Sequence, residues 1–182
     1  RALDDSDLDV EIVGVDPGDS IPVGKRRIAR PLTAFHPVVC QGYAIMELRN
    51  QLRKDLQGED SAVIQATRAR GEEITVAAEH PLVVFSGDTR IEFIEHNEVA
   101  CRADLLILEV TFIDDRVSVE KCRGRGHIHL DEVAERADLF ENEALLFTHF
   151  SARYKAEDIL AALDDKLPAS LRERVTPLLG SH

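Results

Sequence analysis

The sequence predicts an α/β layered fold, and three observations support this prediction. Three short apolar runs, Leu82–Phe85, Leu105–Leu108 and Ala144–Phe147, have the length and character of strands buried on both faces of a sheet. Two later segments, Leu130–Phe140 and Ala156–Leu163, show the apolar spacing of helices. Each run also stops at turn or polar residues, as strands do where they leave a sheet. Strands that alternate with helices place a layer of helices over a sheet.

The N-terminal third of the chain predicts strands followed by an insertion. Val10–Val15, Arg27–Pro31 and Val38–Met46 are rich in β-branched and apolar residues and are strand candidates. Arg49–Gly71 is polar and interrupts the core pattern, so we expect it to be an insertion between core elements. Within it, Ala62–Arg70 predicts one short helix that ends at Gly71.

Composition is typical of a globular protein, and it indicates the cellular compartment. The 182 residues are 44% hydrophobic and 31% charged, enough for one domain with a core. No apolar run approaches the roughly 18 residues that span a bilayer. Arg1–Asp5 contains no initiator Met and no signal-peptide features. The three cysteines, Cys40, Cys101 and Cys122, form no disulfide framework and no zinc-binding pair, so we expect a reducing, cytoplasmic location.

The charge pattern bears on nucleic-acid binding in two opposed ways. A net charge of −12 argues against a nucleic-acid partner, because neutralising phosphates requires Lys and Arg. The basic residues are nevertheless clustered, at Lys25–Arg30, Arg53–Lys54, Arg68–Arg70 and Lys121–Arg125. These clusters are either solvated faces or a local basic track. If they form a track, RNA affinity will fall steeply with salt through the last three of them.

The most informative polar residues follow the three apolar runs. Asp88 comes shortly after the first run, Glu109 directly follows the second, and His149 follows the third after one Thr. Ligand sites in layered α/β folds collect at strand ends, where loops converge from a rigid sheet. Carboxylate oxygens and imidazoles at such positions suit Zn²⁺ or another divalent cation. The alternative for a single strand-end Asp is a turn or helix cap.

Three further histidines are candidates for the same site. His36 precedes a predicted strand, and His127 and His129 follow Gly126. A lone His is more often a hydrogen-bonded structural residue than a metal ligand, so it is the combination with the strand-end residues that favours a site.

Five motifs of the sequence together resemble those of the tRNase Z family of the metallo-β-lactamase superfamily, in its short, plant-type form. Ser86–Thr89 resembles the motif whose Asp bridges two metals, and Leu108–Phe112 resembles the family's His-Glu-Ala-Thr motif. Gly126–His129 resembles its His-Ser-Thr motif, Leu146–Tyr154 its closing motif, and His36–Tyr43 its third metal motif. The resemblance runs from about Val10 to Leu178, in the family's order and spacing.

The resemblance implies a fold, a reaction and roles for five residues. The fold is the αββα sandwich, of which the chain would hold the second half and the tail of the first. The reaction is hydrolytic removal of the 3′ trailer from precursor tRNA. His36 would bind the first metal, Asp88 would bridge both, and His149 would bind the second. Glu109 and His127 would deliver a proton to the leaving 3′ oxygen, because a His held by a carboxylate is a suitable acid near neutral pH.

The resemblance also implies cofactors, substrate contacts and a partner. Two Zn²⁺ ions per site are expected, with Mn²⁺ or Mg²⁺ as alternatives, and the protein would be a homodimer acting on precursor tRNA without membrane contact. Residues 49–80 would be a reduced tRNA-clamping arm inserted into a partial domain spanning 1–182, so Arg68 and Arg70 are expected to contact substrate. Arg153 is a further phosphate contact, because guanidinium matches phosphate geometry, with a structural ion pair as the alternative.

One family motif, H-x-H-x-D-H, is absent from the sequence. In the family, that motif supplies most ligands to both metals. It would lie N-terminal to all five motifs. Either these residues are part of a longer polypeptide, which the start at Arg1 favours, or the chain is a half-protein without catalysis. Three function hypotheses follow: a tRNA 3′-processing endonuclease, a non-catalytic tRNA-binding or dimerisation module, and a hydrolase of another phosphodiester or an ester.

Overall fold

A computed structural model describes residues 11–180, which form one seven-stranded mixed sheet with helices on one face. The strands lie in sheet order β1-β2-β3-β4-β5-β6-β7, the same as their order in the chain. The strands are β1 (Ile21–Pro22), β2 (Arg27–Thr33), β3 (Gln41–Leu52), β4 (Thr75–Phe85), β5 (Leu105–Glu109), β6 (Ala144–Thr148) and β7 (Val175–Pro177). The α-helices are α1 (Ser61–Ala69), α2 (Glu92–His96), α3 (Glu98–Arg102), α4 (Val119–Arg125), α5 (Leu130–Glu135), α6 (Ala156–Lys166) and α7 (Ala169–Arg172). Short 3₁₀ turns occupy Lys54–Leu56 and Ala137–Leu139.

The first four strands are antiparallel, and two of them extend far beyond the rest. β3 and β4 pair from Tyr43 opposite Phe85 to Leu52 opposite Thr75, with a register irregularity between Ile45 and Met46. Their distal ends carry the 3₁₀ turn and α1. Because a strand rises about 3.3 Å per residue, α1 lies about 30 Å along the strands from Phe85.

The last four strands are parallel, and their crossovers bury the core. β4, β5, β6 and β7 follow one another across the sheet, so right-handed crossovers place every intervening helix on the same face. The side chains that point to this face are buried in alternation along the strands, as Leu106, Leu108, Leu145 and Phe147 show. This packing fixes where each parallel strand ends.

The opposite face of the sheet is apolar and only partly covered within residues 11–180. Tyr43, Phe85, Ile107 and Leu146 stand side by side in register across four strands. Tyr43 and Phe85 are 39% and 47% exposed, whereas the helix-facing Leu106 is fully buried. The prediction that the apolar runs are buried on both faces is therefore wrong for the described residues. Half of an αββα sandwich has such an uncovered face, because the second sheet is what covers it.

Most core elements were predicted at the correct place, although their end residues differ by a few positions. β5, β6 and α6 match Leu105–Leu108, Ala144–Phe147 and Ala156–Leu163 to within three residues, and α1 matches the helix expected to end at Gly71. Gly71 has φ +78°, the left-handed conformation that favours glycine after a helix.

Two predicted elements were wrong. Within Val10–Val15, the described residues have no regular structure, and Ile12 is 93% exposed, because no neighbouring strand pairs with them; Val10 lies outside the described residues. The helix predicted over Leu130–Phe140 instead breaks at Arg136, whose side chain donates hydrogen bonds to Glu95 and to the carbonyl of Glu132. An ion pair between separate elements thus coincides with the helix end.

Between residues 11 and 180, no helix has the length and apolar character required to cross a membrane.

Candidate active site

The three polar residues that follow the apolar runs meet at one edge of the sheet. Glu109 is the last residue of β5, while Asp88 and His149 lie just past the ends of the adjacent strands β4 and β6. These three strands are parallel, so their carboxyl ends face the same side. The Nε2 atom of His149 lies 3.7 Å from Oδ1 of Asp88. The three side chains therefore form a spatial cluster at the carboxyl ends of the parallel strands.

Glu109 is a buried carboxylate whose two oxygens accept four hydrogen bonds. Its side chain is 2% exposed. Oε1 accepts from the backbone N–H of Thr89 at 3.1 Å and faces Nδ1 of His127 at 2.9 Å. Oε2 accepts from the backbone N–H of Thr111 at 3.1 Å and from its hydroxyl at 2.8 Å. All four contacts use the carboxylate oxygens as acceptors, so the side chain is fixed from both sides.

His127 is held by this carboxylate and by the end of a helix. Gly126 ends α4 in the left-handed conformation, at φ +88°, and turns the chain so that the next side chain points at Glu109. The hydrogen bond and charge of Glu109, with the charge of Asp88, raise the pKa of His127, while burial and the charge of Arg125 oppose the rise. The imidazolium form therefore persists to higher pH than in a free histidine, as a proton donor near neutral pH requires.

Thr111 links the same carboxylate to His149. The Thr111 hydroxyl lies 2.8 Å from Oε2 of Glu109 and 2.8 Å from Nδ1 of His149. A hydroxyl has one hydrogen and a carboxylate only accepts, so the Thr111 hydroxyl donates to Glu109 and Nδ1 of His149 donates to the hydroxyl oxygen. In the neutral ring, this arrangement leaves the lone pair of Nε2, which faces Asp88, for a metal ion.

His149 also has an unusual backbone conformation. Its φ is +62°, and among residues 11–180 no other non-glycine residue has a positive φ. A left-handed non-glycine residue costs about 1 kcal/mol or more and persists where its surroundings fix it. The carbonyl of Thr148 accepts from the backbone N–H of Val110 at 2.9 Å, and Ser151 N–H donates to the carbonyl of Thr111 at 3.0 Å. Both bonds anchor the segment on either side.

His36 approaches from the loop between β2 and β3. Its ring centroid lies 5.5 Å from that of His127. The preceding residue is anchored by the hydroxyl of Thr89, which accepts from the backbone N–H of Phe35 at 2.8 Å. His36 Nδ1 contacts the backbone of Val38, which leaves Nε2 available. The loop thus adds a third imidazole to the cluster.

The residues present suit a divalent metal in kind but supply few ligands for two ions. Two groups have candidate ligand atoms within 4.8 Å of one another: His36 with Asp88 and His127, and Glu109 with His127 and His149. Imidazole and carboxylate donors match Zn²⁺, which usually takes four ligands. Each group offers three side chains, and His127 belongs to both. The predicted ligands His36, Asp88 and His149 all lie in the cluster.

The other predicted residues lie in different places. Arg153 is exposed beside the cluster and donates from Nε to the hydroxyl of Ser151 at 2.9 Å. Arg68 and Arg70 lie at the end of α1, far from the strand ends, and Arg70 forms an ion pair with Glu72.

His129 is not part of the cluster. It is 1% exposed, and its ring nitrogen accepts from the backbone N–H of Asp131 to cap α5. His129 is therefore a hydrogen-bonded structural residue, which was the alternative to metal ligation for a lone His.

Two residues that hold the site together were missed from sequence. Thr89 connects the loop of His36 to Glu109, and Thr111 connects Glu109 to His149. Both follow a strand-end carboxylate within two residues. A Thr or Ser hydroxyl one or two residues after such a carboxylate is the sequence pattern that could have identified them. The same pattern is common in ordinary turns.

Comparison with known proteins relates the whole chain to one group of proteins. No family model matches it. It is 39% identical over 180 residues to tRNase Z TRZ1 of Arabidopsis thaliana, covering 98% of this chain and 64% of that protein. It is 32% identical to the chloroplastic tRNase Z TRZ2 of the same plant, covering 98% of this chain and 51% of that protein. The chain thus spans between half and two thirds of the length of these relatives.

A solved structure agrees with the fold. The metallo-β-lactamase fold protein YhfI from Bacillus subtilis superposes with a TM-score of 0.54 at 19% identity, covering 91% of this chain and 51% of that protein. The sheet and its helices are therefore part of a metallo-β-lactamase fold.

Proposed function

The chain belongs to the tRNase Z family, and from this premise we propose that it serves the metal-dependent removal of the 3′ trailer from precursor tRNA. The observation that carries this proposal is the buried Glu109 carboxylate paired with the half-buried His127, beside Asp88 and His149. A carboxylate-held imidazole next to metal-competent groups suits hydrolysis of a phosphodiester, whose leaving oxygen needs a proton.

The proposed metal site uses three residues of this chain. Asp88 has two carboxylate oxygens and can serve two ions, with His36 on one side and His149 on the other. Zn²⁺ is the proposed metal, with Mn²⁺ or Mg²⁺ as alternatives, because the donors are imidazole and carboxylate. When bound, such ions polarise the phosphate and lower the pKa of a water towards neutrality.

The proposed proton donor is His127. Glu109 fixes the ring through Nδ1, so Nε2 is the nitrogen that can carry a proton to the leaving 3′ oxygen of the tRNA. The raised pKa of His127, caused first by its hydrogen bond to Glu109, keeps that proton in place near neutral pH. The products would be a tRNA with a 3′-hydroxyl and a trailer with a 5′-phosphate.

Substrate binding and assembly form a further part of the proposal. We propose that residues 49–80, built from the long ends of β3 and β4 with α1, are a reduced tRNA-clamping arm that uses Arg68 and Arg70. An arm that reaches about 30 Å from the site suits contact with a part of tRNA remote from the cleaved bond. A homodimer in the cytoplasm, in which one subunit's arm serves its partner's site, fits the same arrangement.

One observation favours a second function. The candidate ligand groups hold three side chains each and share His127, which is sparse for two ions. A chain that binds tRNA or dimerises without cleaving would be consistent with that number. A hydrolase of another phosphodiester is the third hypothesis, and substrate choice separates it from the first.

A cleavage assay tests the proposal. Precursor tRNA with a labelled 3′ trailer is incubated with the chain and Zn²⁺ or Mn²⁺, and the released trailer is examined for a 5′-phosphate. We expect release, and we expect Glu109→Gln and His127→Ala to slow it by about a hundredfold or more, as loss of general acid catalysis does.

The matched control is His80→Ala. His80 also pairs with a carboxylate, Asp104 at 2.7 Å, but it lies in the middle of β4, away from the strand ends that carry the cluster, and His80→Ala should leave cleavage unchanged. Binding of precursor tRNA without cleavage would favour the non-catalytic module. Cleavage of bis(p-nitrophenyl) phosphate but not of precursor tRNA would favour the third hypothesis.

A further inference from the structure

Two arginines share one aromatic ring at the rim of the candidate active site. The guanidinium carbon of Arg125 lies 5.5 Å from the ring centroid of Phe112, and that of Arg153 lies 5.3 Å from the same centroid. The two guanidinium carbons are therefore at most about 11 Å apart. Phe112 is 3% exposed, so its position is fixed by the core, and it provides a rigid platform for both side chains.

The same platform borders the proposed proton donor. The ring of His127 meets that of Phe112 edge-on, with centroids 6.3 Å apart. Arg125 precedes His127 by two residues, and Arg153 follows His149 by four. Both guanidinium groups thus contact the aromatic ring that the proposed proton donor also meets.

Neither guanidinium has an acidic partner among the described residues, in contrast to its neighbours. Arg125 and Arg153 are both exposed, and Arg153 bonds only to the Ser151 hydroxyl. Arg116 and Arg123, nearby in the chain, are neutralised by two carboxylates each. These are Asp114 and Asp158 for Arg116, and Glu92 and Glu132 for Arg123. The chain has a net charge of −12, so two arginines without an acidic partner make the edge of the site locally positive.

The chemistry of guanidinium identifies the ligand. Its planar fork of N–H donors matches phosphate oxygens, and its delocalised charge stacks on an aromatic face while the fork stays free. Resting on the proposed function, we propose that Arg125 and Arg153 form a two-arginine phosphate clamp on Phe112, which grips backbone phosphates of RNA next to the cleaved bond. The sequence predicted Arg153 as a phosphate contact and included Arg125 only as part of the basic cluster Lys121–Arg125; the pairing of the two on Phe112 is new.

The position of Arg125 suggests a variant that separates clamp from helix cap. Arg125 is the last residue of α4, where any cation stabilises the helix end. Arg125→Lys keeps that charge but removes the fork. If Arg125 only capped the helix, Lys would replace it fully; if it grips phosphate, Arg125→Lys will weaken RNA binding at an unchanged thermal midpoint.

The experiment measures binding of fluorescently labelled precursor tRNA by anisotropy over a range of salt concentrations, with a chelator present to prevent cleavage. Each phosphate contact contributes about one unit to the slope of log affinity against log salt. We expect Arg125→Gln and Arg153→Gln each to lower the slope by about one unit, and the double variant by about two. The control Arg102→Gln removes an exposed arginine that pairs with Glu98 and should leave the slope unchanged.

Three results would overturn the clamp, and they separate its failure from failure of the proposed function. If wild type binds with a salt-dependent affinity and Arg125→Gln retains the full slope, the clamp is wrong while the proposed function stands. If wild type binds no precursor tRNA, or binds it with a flat salt response, both fall. Arg125→Lys with wild-type affinity would also overturn the clamp, because a point charge would then suffice.

Discussion

Replacing Glu109 by Gln is the sharpest perturbation of the site, because the change keeps the shape and removes the charge. In the wild type, the two carboxylate oxygens accept from two donors each. The amide of Gln has one oxygen and one NH₂ group. Whichever position the NH₂ group takes, it faces a buried backbone N–H, that of Thr89 or that of Thr111.

The loss in free energy of unfolding follows from that backbone N–H, which is left without an acceptor. Leaving one buried backbone N–H without an acceptor destabilises the fold by about 2 kcal/mol. A second, pH-dependent part comes from His127. Its pKa is raised in the folded chain, first by the hydrogen bond to Glu109, so the pair stabilises the fold fully below the ordinary histidine pKa of about 6.5. That stabilisation is lost as the pH rises through the raised value.

The assay is urea unfolding of wild type and Glu109→Gln, with chelator, at about pH 5.5 and about pH 9, either side of the histidine range. We expect the variant to lose more stability at the lower pH, where a protonated His127 faces an amide, and about 2 kcal/mol at the higher pH. Titration of His127 by NMR should show its pKa falling towards the ordinary value in the variant.

The matched control is Glu132→Gln. Glu132 is also 2% exposed and accepts from Arg123 and from the backbone N–H of His129, but no titrating imidazole is its partner. Its loss of stability should be the same at both pH values. An equal loss at both pH values for Glu109→Gln, or an ordinary pKa for His127 in the wild type, would refute the reasoning.

Two further predictions concern a glycine and a thiol. Gly126→Ala would place a Cβ 2.3 Å from Cδ of Pro37 and 2.5 Å from Cδ2 of His36, at φ +88°, and should destabilise the chain by about 2 kcal/mol or more in urea unfolding. Gly124→Ala, in the same helix with open space around it, should be neutral or stabilising; equal effects of the two would contradict the steric argument. Burial raises the pKa of the Cys101 thiol to about 11, so at pH 8 about one thiol in a thousand is ionised. Its alkylation by iodoacetamide, followed by mass spectrometry, should be at least about a hundredfold slower in the folded chain than in urea, and comparable rates would show that this thiol is not sequestered.

The basic clusters show why composition alone misjudges a binding surface. Arg53 and Arg70 each pair with a carboxylate two residues along the chain, at 2.6 Å and 2.7 Å. Arg123, within the cluster Lys121–Arg125, is neutralised as well, whereas Arg125 is not. A run of basic residues in sequence therefore does not say which charges remain available to phosphate.

The sequence by itself determined the parallel half of the sheet and the residues at its edge. Continuous apolar runs need a buried environment, and in parallel strands their carboxyl ends meet on one side. That is why the sequence alone predicts that Asp88, Glu109 and His149 lie together. His36 and His127 were candidates from their positions in the sequence, and the family resemblance gave each of them a role.

Only the tertiary structure decided how these groups act on one another. Spacing along the chain does not reveal that one carboxylate accepts from both Thr89 and Thr111, or that His127 joins the site while His129 caps a helix. Each of these bonds crosses between separate strand ends and loops, and depends on side-chain directions that are set by packing. Local patterns fix which face of a strand is buried, whereas hydrogen-bond partners far apart in sequence are fixed when the sheet brings the loops together.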